Sequence, residues 1–264
     1  MRYFFHIGYH GINYRGWQRQ PEVVSVQEVL ETSLSKILKE TITVNGCGRT
    51  DAQVHASQYF FHCDVKSAWD FDLKFRLNHT LPDDIAVFDI IPMDDNRHAR
   101  FDAIQRSYDY FLHFYKDPFL VKFSSYYRDE NLDIDAMQRA AALLVNYNDY
   151  FAFCRSPEKY EHTICHVSSS ELIRNESGNK LCFRISSNRF LGSMIRILVG
   201  KFLEIGRGEL SVEEFESYFH KRESAPMIIP AHPQGLYLSK VTYPYLDLAA
   251  QPNFTFLHSD LINQ

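Results

Sequence analysis

The order in which strands and helices are predicted repeats along the chain, and this repeat constrains the fold more than any other feature. Strands are predicted where β-branched and aromatic residues concentrate, and helices where apolar residues recur every three or four positions behind a capping residue. The first half contains, in order, a strand at 2–9, a helix capped by Ser25, strands at 41–46 and 57–65, a helix at 70–79 and a strand at 85–91.

The second half has the same order of elements. They are a strand at 107–115, a helix capped by Asp133, a hairpin of the strands 165–174 and 180–187, one helix that ends at Gly206, a second helix that begins after Ser211, and a strand at 236–243. The order β-α-β-β-α-β is that of ferredoxin-like units. We therefore predict an α+β protein made of two ferredoxin-like halves, each with an open sheet, and a catalytic cleft between them.

A polar segment marks the boundary between the halves. It lies between Pro92 and Gln105 and contains the run from Asp94 to His98. A chain of 264 residues is long enough for two domains of moderate size. We predict an N-terminal α+β domain at 1–104 and a C-terminal α+β domain at 105–264.

The composition is that of a globular protein rather than a membrane or secreted one. Hydrophobic residues make up 45% of the chain and charged residues 23%. No apolar run approaches the roughly 20 residues of a membrane span, and the N-terminus alternates like a strand instead of resembling a signal peptide. The five cysteines are scattered, and the 12 histidines show no metal-ligand spacing. We expect a cytoplasmic protein with reduced thiols, no membrane segment and no metal.

The net charge of −5 argues against general nucleic-acid binding, because proteins that bind nucleic acids are usually basic. This net charge is still compatible with a local basic groove. Aromatic residues make up 15% of the chain, enough to fill a core and also to stack on bases.

The segment from Gly46 to Ala56 lies between two predicted strands and is predicted to be a loop. Its sequence places Arg49 and Asp51 two residues apart, close to His55. One interpretation is an ordinary turn in which Asp51 caps its own backbone and Arg49 is solvated. The other is a catalytic loop that presents a carboxylate.

Six blocks of sequence favour the second interpretation. G-R-T-D-A-x-V-H-A resembles the catalytic motif of the TruA family of tRNA pseudouridine synthases. The other blocks follow in the order in which that family has them, and they are 9–20 (YHGINYRGWQRQ), 25–28 (SVQE), 98–103 (HARFDA), 193–200 (SMIRILVG) and 235–238 (GLYL), with Tyr108 and Tyr110 in the place of the family's R-x-Y-x-Y. The resemblance spans nearly the whole chain.

The resemblance implies an isomerisation in which the C1′–N1 bond of a uridine breaks and a C1′–C5 bond forms. This chemistry requires no cofactor or metal. Asp51 would be the catalytic carboxylate, acting either as a nucleophile or as a base. The implied substrate is tRNA, at uridines 38 to 40 of the anticodon arm, and the implied assembly is a homodimer.

Four further residues have roles by the same resemblance. Arg49 would fill the place of a flipped-out base, although it could instead be a surface arginine paired with Asp51. Tyr108 would stack on the uracil and Leu236 would line its pocket, but both could simply be core residues. Arg196 would pair with Asp51, because a charge on an apolar helix face needs a partner.

The chain departs from the family pattern at several positions. Gln53 replaces a glycine, Asp109 replaces a residue that is commonly basic, and Arg189 and Ser193 alter the run before Arg196. His162 stands where the family has arginine. These changes leave two other hypotheses open: a paralogue that modifies another RNA position, and a non-catalytic RNA-binding protein on the same scaffold.

Overall fold

The protein is described from a computed structural model that covers residues 1–221, 223–225 and 229–249. It is a mixed α+β protein with two compact units. The first unit contains residues 1–106 together with residues 237–249, and the second contains the described residues from 107 to 236. The sequence analysis placed the boundary at 104/105 and assigned 237–249 to the C-terminal domain.

The first unit is built on an open sheet. Its strands are β1 (Arg2–Tyr9), β2 (Asn45–Gly46), β3 (His55–Asp64), β4 (Ile85–Met93) and β9 (Leu236–Thr242, in this unit from Tyr237), and its helices are α1 (Val26–Leu38) and α2 (Leu73–Thr80). The strand order is β4-β1-β3-β9, and β2 pairs with β3 beside β9. β1 is antiparallel to both neighbours, whereas β3 and β9 run parallel over two residue pairs, His55 with Tyr237 and Ala56 with Leu238. This parallel pairing explains why 237–249 belong with the first unit.

The second unit has a sheet of order β5-β8-β7. Its strands are β5 (Gln105–His113, in this unit from Ser107), β6 (Ser125–Tyr126), β7 (Val167–Arg174) and β8 (Lys180–Ser187), and its helices are α3 (Ile134–Leu143), α4 (Met194–Gly206) and α5 (Val212–Ser217). The short strand β6 pairs with β5 and was not predicted. The helix caps follow the prediction, because Ser25, Asp133 and Ser211 each accept a hydrogen bond from the backbone N–H three residues later.

The strand predicted at 41–46 is wrong over most of its length. Only Asn45 and Gly46 pair with β3. The Ile42 N–H donates instead to Ser35 Oγ at 2.9 Å, and the Val44 N–H donates to Glu31 Oε1 at 3.1 Å. Side chains of α1 therefore satisfy backbone groups that a strand partner would otherwise satisfy.

All five cysteines are buried as free thiols, as the sequence analysis predicted. Burial raises the pKa of the Cys47 and Cys154 thiols to about 11, and that of Cys63 and Cys165 to about 12.

Among the described residues, no helix combines the length and the apolar character needed to cross a membrane.

Asp109, which departs from the family pattern, has a structural role in the second unit. Its carboxylate lies in β5 with a side-chain exposure of 10% and accepts a hydrogen bond from Arg184 Nε on β8 at 3.0 Å. Arg184 also pairs with Glu171 on β7 at 3.1 Å. Asp109 therefore links neighbouring strands.

We predict that Asp109→Asn lowers the free energy of unfolding by about 1–2 kcal/mol, less than for a fully buried pair because Arg184 is partly exposed. Asp109→Arg should destabilise more, since it places a second cation beside Arg184. Urea unfolding followed by circular dichroism measures both effects. Asp135→Asn is the matched control, because it removes an exposed carboxylate from Arg174. An unchanged urea midpoint for Asp109→Asn would show that the pair does not stabilise the fold.

Candidate active site

The loop that carries Arg49 and Asp51 connects β2 to β3 in the first unit, as predicted. Both charged side chains are exposed, whereas Thr50 between them is buried. The Val54 N–H donates to the Asp51 carbonyl at 3.2 Å and closes a turn. The backbone therefore presents Asp51 outward at the start of this turn.

A second segment, residues 9–20, supports the loop through its backbone. The Trp17 N–H donates to the Thr50 carbonyl at 3.2 Å, and the Gln53 N–H donates to the Tyr14 carbonyl at 3.1 Å. These two hydrogen bonds hold the residues on either side of Asp51. The position of the carboxylate is thus set by main chain that is more than thirty residues distant in sequence.

Glycines allow these two segments to pack closely. A Cβ at Gly16 would lie 2.4 Å from the Thr50 carbonyl oxygen, and a Cβ at Gly11 would lie 2.0 Å from that of Val54. Gly16 also has a φ of +91°, which side-chain-bearing residues rarely adopt. A larger residue at either position would have to push the Asp51 loop away.

Side chains complete the support. Tyr9 Oη and Thr50 Oγ1 share a hydrogen bond of 2.8 Å, and the Gly11 N–H donates to His55 Nδ1 at 2.9 Å. The buried His55 ring stacks on Tyr237 of β9, with ring centroids 4.5 Å apart. His55 therefore has a structural environment at the base of the loop, and its neutral tautomer with Nδ1 as the acceptor fits these contacts.

Side chains from other segments of the first unit also support the beginning of the loop. Tyr59 Oη donates to the Gly48 carbonyl at 2.6 Å, and the ring of Tyr59 stacks on Trp17 with centroids 4.1 Å apart. Arg106 Nη2 donates to the Cys47 carbonyl at 2.9 Å. The sequence analysis did not identify Tyr59 or Trp17 as supports of the loop, because an aromatic residue in a strand or loop predicts only burial.

Gln53 stands where the family pattern has a glycine. Gln53 has a φ of +65°, in the left-handed region. A side chain there costs on the order of 1 kcal/mol relative to glycine. The hydrogen bond from the Gln53 N–H to Tyr14 holds this conformation in place.

The other three predicted site residues lie in the second unit. Tyr108 is half-buried on β5, and its ring meets Phe190 edge-on with centroids 5.1 Å apart. Arg196 is half-buried on α4, where its Nε donates to the Ala231 carbonyl at 2.6 Å. Leu236 is buried at the start of β9.

Arg196 is therefore oriented by the backbone beside α4. The Ala231 N–H donates back to the Arg196 carbonyl at 2.8 Å, so the two residues are joined by reciprocal hydrogen bonds. The structure brings Arg49 and Asp51 together in one loop of the first unit. The predicted pair between Asp51 and Arg196 joins residues of different units and stays a prediction.

Three further departures in the second unit can be located. Ser193 precedes α4 and has a φ of +58°, again in the left-handed region. The guanidinium of Arg189 lies 3.3 Å from His162 Nε2, so these two departures contact each other. No group of His, Cys, Asp and Glu that could hold a metal is found in the part of the chain that the structure describes.

Comparison with known proteins places this geometry in a family. Residues 140–244 match the family model for tRNA pseudouridine synthase. "tRNA pseudouridine synthase A" of Porphyromonas gingivalis is 36% identical over 250 residues, which cover 92% of this chain and 97% of the relative. The proteins of the same name from Bacteroides thetaiotaomicron and Shewanella sediminis are both 38% identical, covering 92% of this chain and 91% and 94% of the relatives.

These alignments cover 92% of this chain and more than 90% of each relative, so the similarity is not confined to one unit. The chain belongs to the tRNA pseudouridine synthase A family.

Proposed function

We propose that this pseudouridine synthase isomerises uridines 38 to 40 in the anticodon arm of tRNA, with Asp51 as its catalytic residue. The observation that carries the proposal is an exposed carboxylate on a loop whose backbone is fixed on both sides by hydrogen bonds to Tyr14 and Trp17. Fixed geometry of this kind suits a group that must meet a reacting atom. An enzyme that modifies several neighbouring uridines is expected to recognise the shape of the RNA rather than its sequence.

The reaction conserves all atoms of the nucleotide. The C1′–N1 bond breaks, the uracil turns, a C1′–C5 bond forms, and the C5 proton is lost while N1 gains one. A carboxylate can attack the sugar or the base as a nucleophile, or it can remove a proton as a base. Both routes need Asp51 to be ionised at the start.

We assign the remaining roles as follows. Arg49, exposed two residues before Asp51, fills the space vacated by the flipped base and contacts phosphate. Tyr108 stacks on the uracil, and Leu236 contributes an apolar wall to its pocket. Arg196 pairs with the Asp51 carboxylate and fixes its orientation. The fixed orientation of Arg196 by Ala231 supports this role, because a pre-oriented guanidinium loses less freedom on pairing.

We also propose that the chain consists of two ferredoxin-like halves, with a domain at 1–104 carrying the catalytic loop and a domain at 105–264 completing the active site. The order of elements in each half supports this. A homodimer and a cytoplasmic location are proposed from the family resemblance. Mapping pseudouridines in tRNA from cells that lack this protein tests which positions it modifies.

We predict that Asp51→Asn abolishes pseudouridine formation but preserves tRNA binding. The amide keeps the size of the carboxylate but can act neither as a nucleophile nor as a base, so the single-turnover rate should fall by at least about 10²-fold. The affinity for unmodified tRNA should stay near that of the wild type. Asp70→Asn is the control, because it makes the same change at another exposed position. Turnover near wild type in Asp51→Asn would refute the assignment, and lost binding would show that Asp51 has a structural role.

We predict that Arg196→Gln slows the same step because it removes the partner of Asp51. If the two side chains act as a pair, the double variant with Asp51→Asn should be no slower than Asp51→Asn alone. A structure with bound tRNA should place the guanidinium and carboxylate within about 4 Å. Additive rate losses, together with a wide separation in that structure, would contradict the pairing.

We predict that tRNA binding weakens steeply as salt rises, because an acidic protein must concentrate its cations where it meets phosphate. Arg15 is exposed on the segment that supports the loop. Arg15→Gln should reduce the slope of log Kd against log salt by about one. Arg174→Gln, which removes a cation paired with Asp135, serves as the control. A Kd that hardly changes with salt would mean that stacking and shape dominate.

A further inference from the structure

Next to the catalytic loop, a turn exposes an aromatic ring and an arginine. The turn comprises residues 98–103, and we call it the Phe101 turn. Phe101 is 76% exposed, and the Arg100 guanidinium lies 5.8 Å from the centroid of its ring. Burying a phenylalanine ordinarily stabilises a protein by roughly 1.5–3 kcal/mol, and the exposed Phe101 ring forgoes most of this stabilisation.

Hydrogen bonds within the turn fix its backbone. His98 Nδ1 accepts from the N–H groups of Arg100 and Phe101, at 3.1 and 3.3 Å. The Asp102 carboxylate accepts from the His98 N–H at 2.9 Å, and the Asp102 N–H donates to the His98 carbonyl at 3.1 Å. The turn is therefore closed by its own side chains.

The turn is also attached to the sheet of the first unit. The Ala99 N–H donates to His62 Nδ1 on β3 at 3.2 Å, and Tyr243 Oη donates to the Ala99 carbonyl at 2.6 Å. Tyr245 Oη donates to the Asp102 carboxylate at 2.7 Å. Burial holds the pKa of His62 down at about 4 and also lowers that of His98, which keeps both rings neutral and able to accept these bonds at neutral pH.

The Phe101 ring is itself supported on one side. Its centroid lies 4.2 Å from that of His98, and His98 meets His62 edge-on at 4.5 Å. The exposed side of the ring is available to a flat partner. A supported aromatic ring beside a cation is the arrangement with which proteins bind unpaired bases.

Arg106 connects the Phe101 turn to the catalytic loop. Its Nη2 donates to both the Arg100 carbonyl and the Cys47 carbonyl, each at 2.9 Å, and its Nη1 donates to the Ala103 carbonyl at 2.9 Å. One nitrogen thus bridges the turn to a residue four positions before Asp51. The guanidinium of Arg106 is thus directed at main-chain carbonyls.

We propose that Phe101 stacks on an unpaired base of the tRNA substrate beside the target uridine, that Arg100 contacts a neighbouring phosphate, and that Arg106 is the positioning residue that holds both next to the Asp51 loop. The proposal rests on the proposed function of that loop. Stacking tolerates any base, because every base has a π face. It therefore suits an enzyme that accepts several neighbouring uridines.

Equilibrium binding of unmodified tRNA tests the stacking. Phe101→Ala should raise the Kd by roughly tenfold or more, whereas Phe101→Trp should keep it near wild type. Phe75→Ala, at another exposed phenylalanine of the first unit, is the matched control and should leave the Kd unchanged. The two contacts differ in salt dependence: Arg100→Gln should reduce the salt slope by about one, and Phe101→Ala should leave it unchanged.

Tryptophan fluorescence gives a direct readout. In Phe101→Trp, adding tRNA should quench emission beyond the change seen in the wild type, which contains only Trp17 and Trp69. No additional quenching, or a Kd for Phe101→Ala equal to that of the wild type, would overturn the proposal. These binding results do not depend on turnover. Absence of pseudouridine formation by the wild-type enzyme would instead refute the proposed function.

The positioning role of Arg106 is tested with Arg106→Lys, which retains the charge but cannot donate to three carbonyls in the same geometry. It should weaken tRNA binding, and the further loss that it causes in the Phe101→Ala background should be smaller than its loss in the wild type, because only the Arg100 contact then remains to be displaced. Urea unfolding shows whether a loss of tRNA binding results from global destabilisation of the protein. A folded Arg106→Lys variant with wild-type affinity, or losses that add fully in the double variant, would overturn this role.

Discussion

The proposed active site depends on contact between two stretches of main chain, the loop around Asp51 and the segment at 9–20. The hydrogen bonds from Trp17 to Thr50 and from Gln53 to Tyr14 are short-range and directional, so they fix the loop against this segment. Gly11 and Gly16 make this contact possible because no Cβ intervenes. An exposed carboxylate would otherwise sit on a connection free to move, as loops generally are.

Local sequence rules were sufficient for elements that satisfy their own hydrogen bonds. The helices after Ser25, Asp133 and Ser211 begin where their caps indicated, since a cap and an apolar stripe act within a few residues. The segment at 41–44 was mispredicted because its β-branched residues favour a strand, yet its partners are Glu31 and Ser35 of a helix. A distant side chain that replaces a strand partner leaves no periodic pattern in the sequence.

The same limit applies to charged residues of the candidate site. Arg106 and Asp109 are three residues apart, and the residue types alone are compatible with side chains that face RNA. The structure shows Arg106 bonded to carbonyls and Asp109 paired with Arg184 on a neighbouring strand. The residue type indicates that a charge needs compensation, but only the tertiary structure determines whether that compensation is internal. The acidic net charge is therefore a poor guide to the RNA-facing surface, because it does not show which charges are paired within the fold and which are exposed.

The burial of the five cysteines has a practical consequence for probing how this enzyme holds RNA. Alkylating reagents and disulfide exchange act on thiolate, and thiols with pKa values of about 11 to 12 carry very little of it at neutral pH. A cysteine placed at an exposed position would have an ordinary pKa and would react first. Spin labels, fluorophores or thiol-bearing nucleotides can therefore be attached at chosen sites without removing the native cysteines, so the packing around them remains intact.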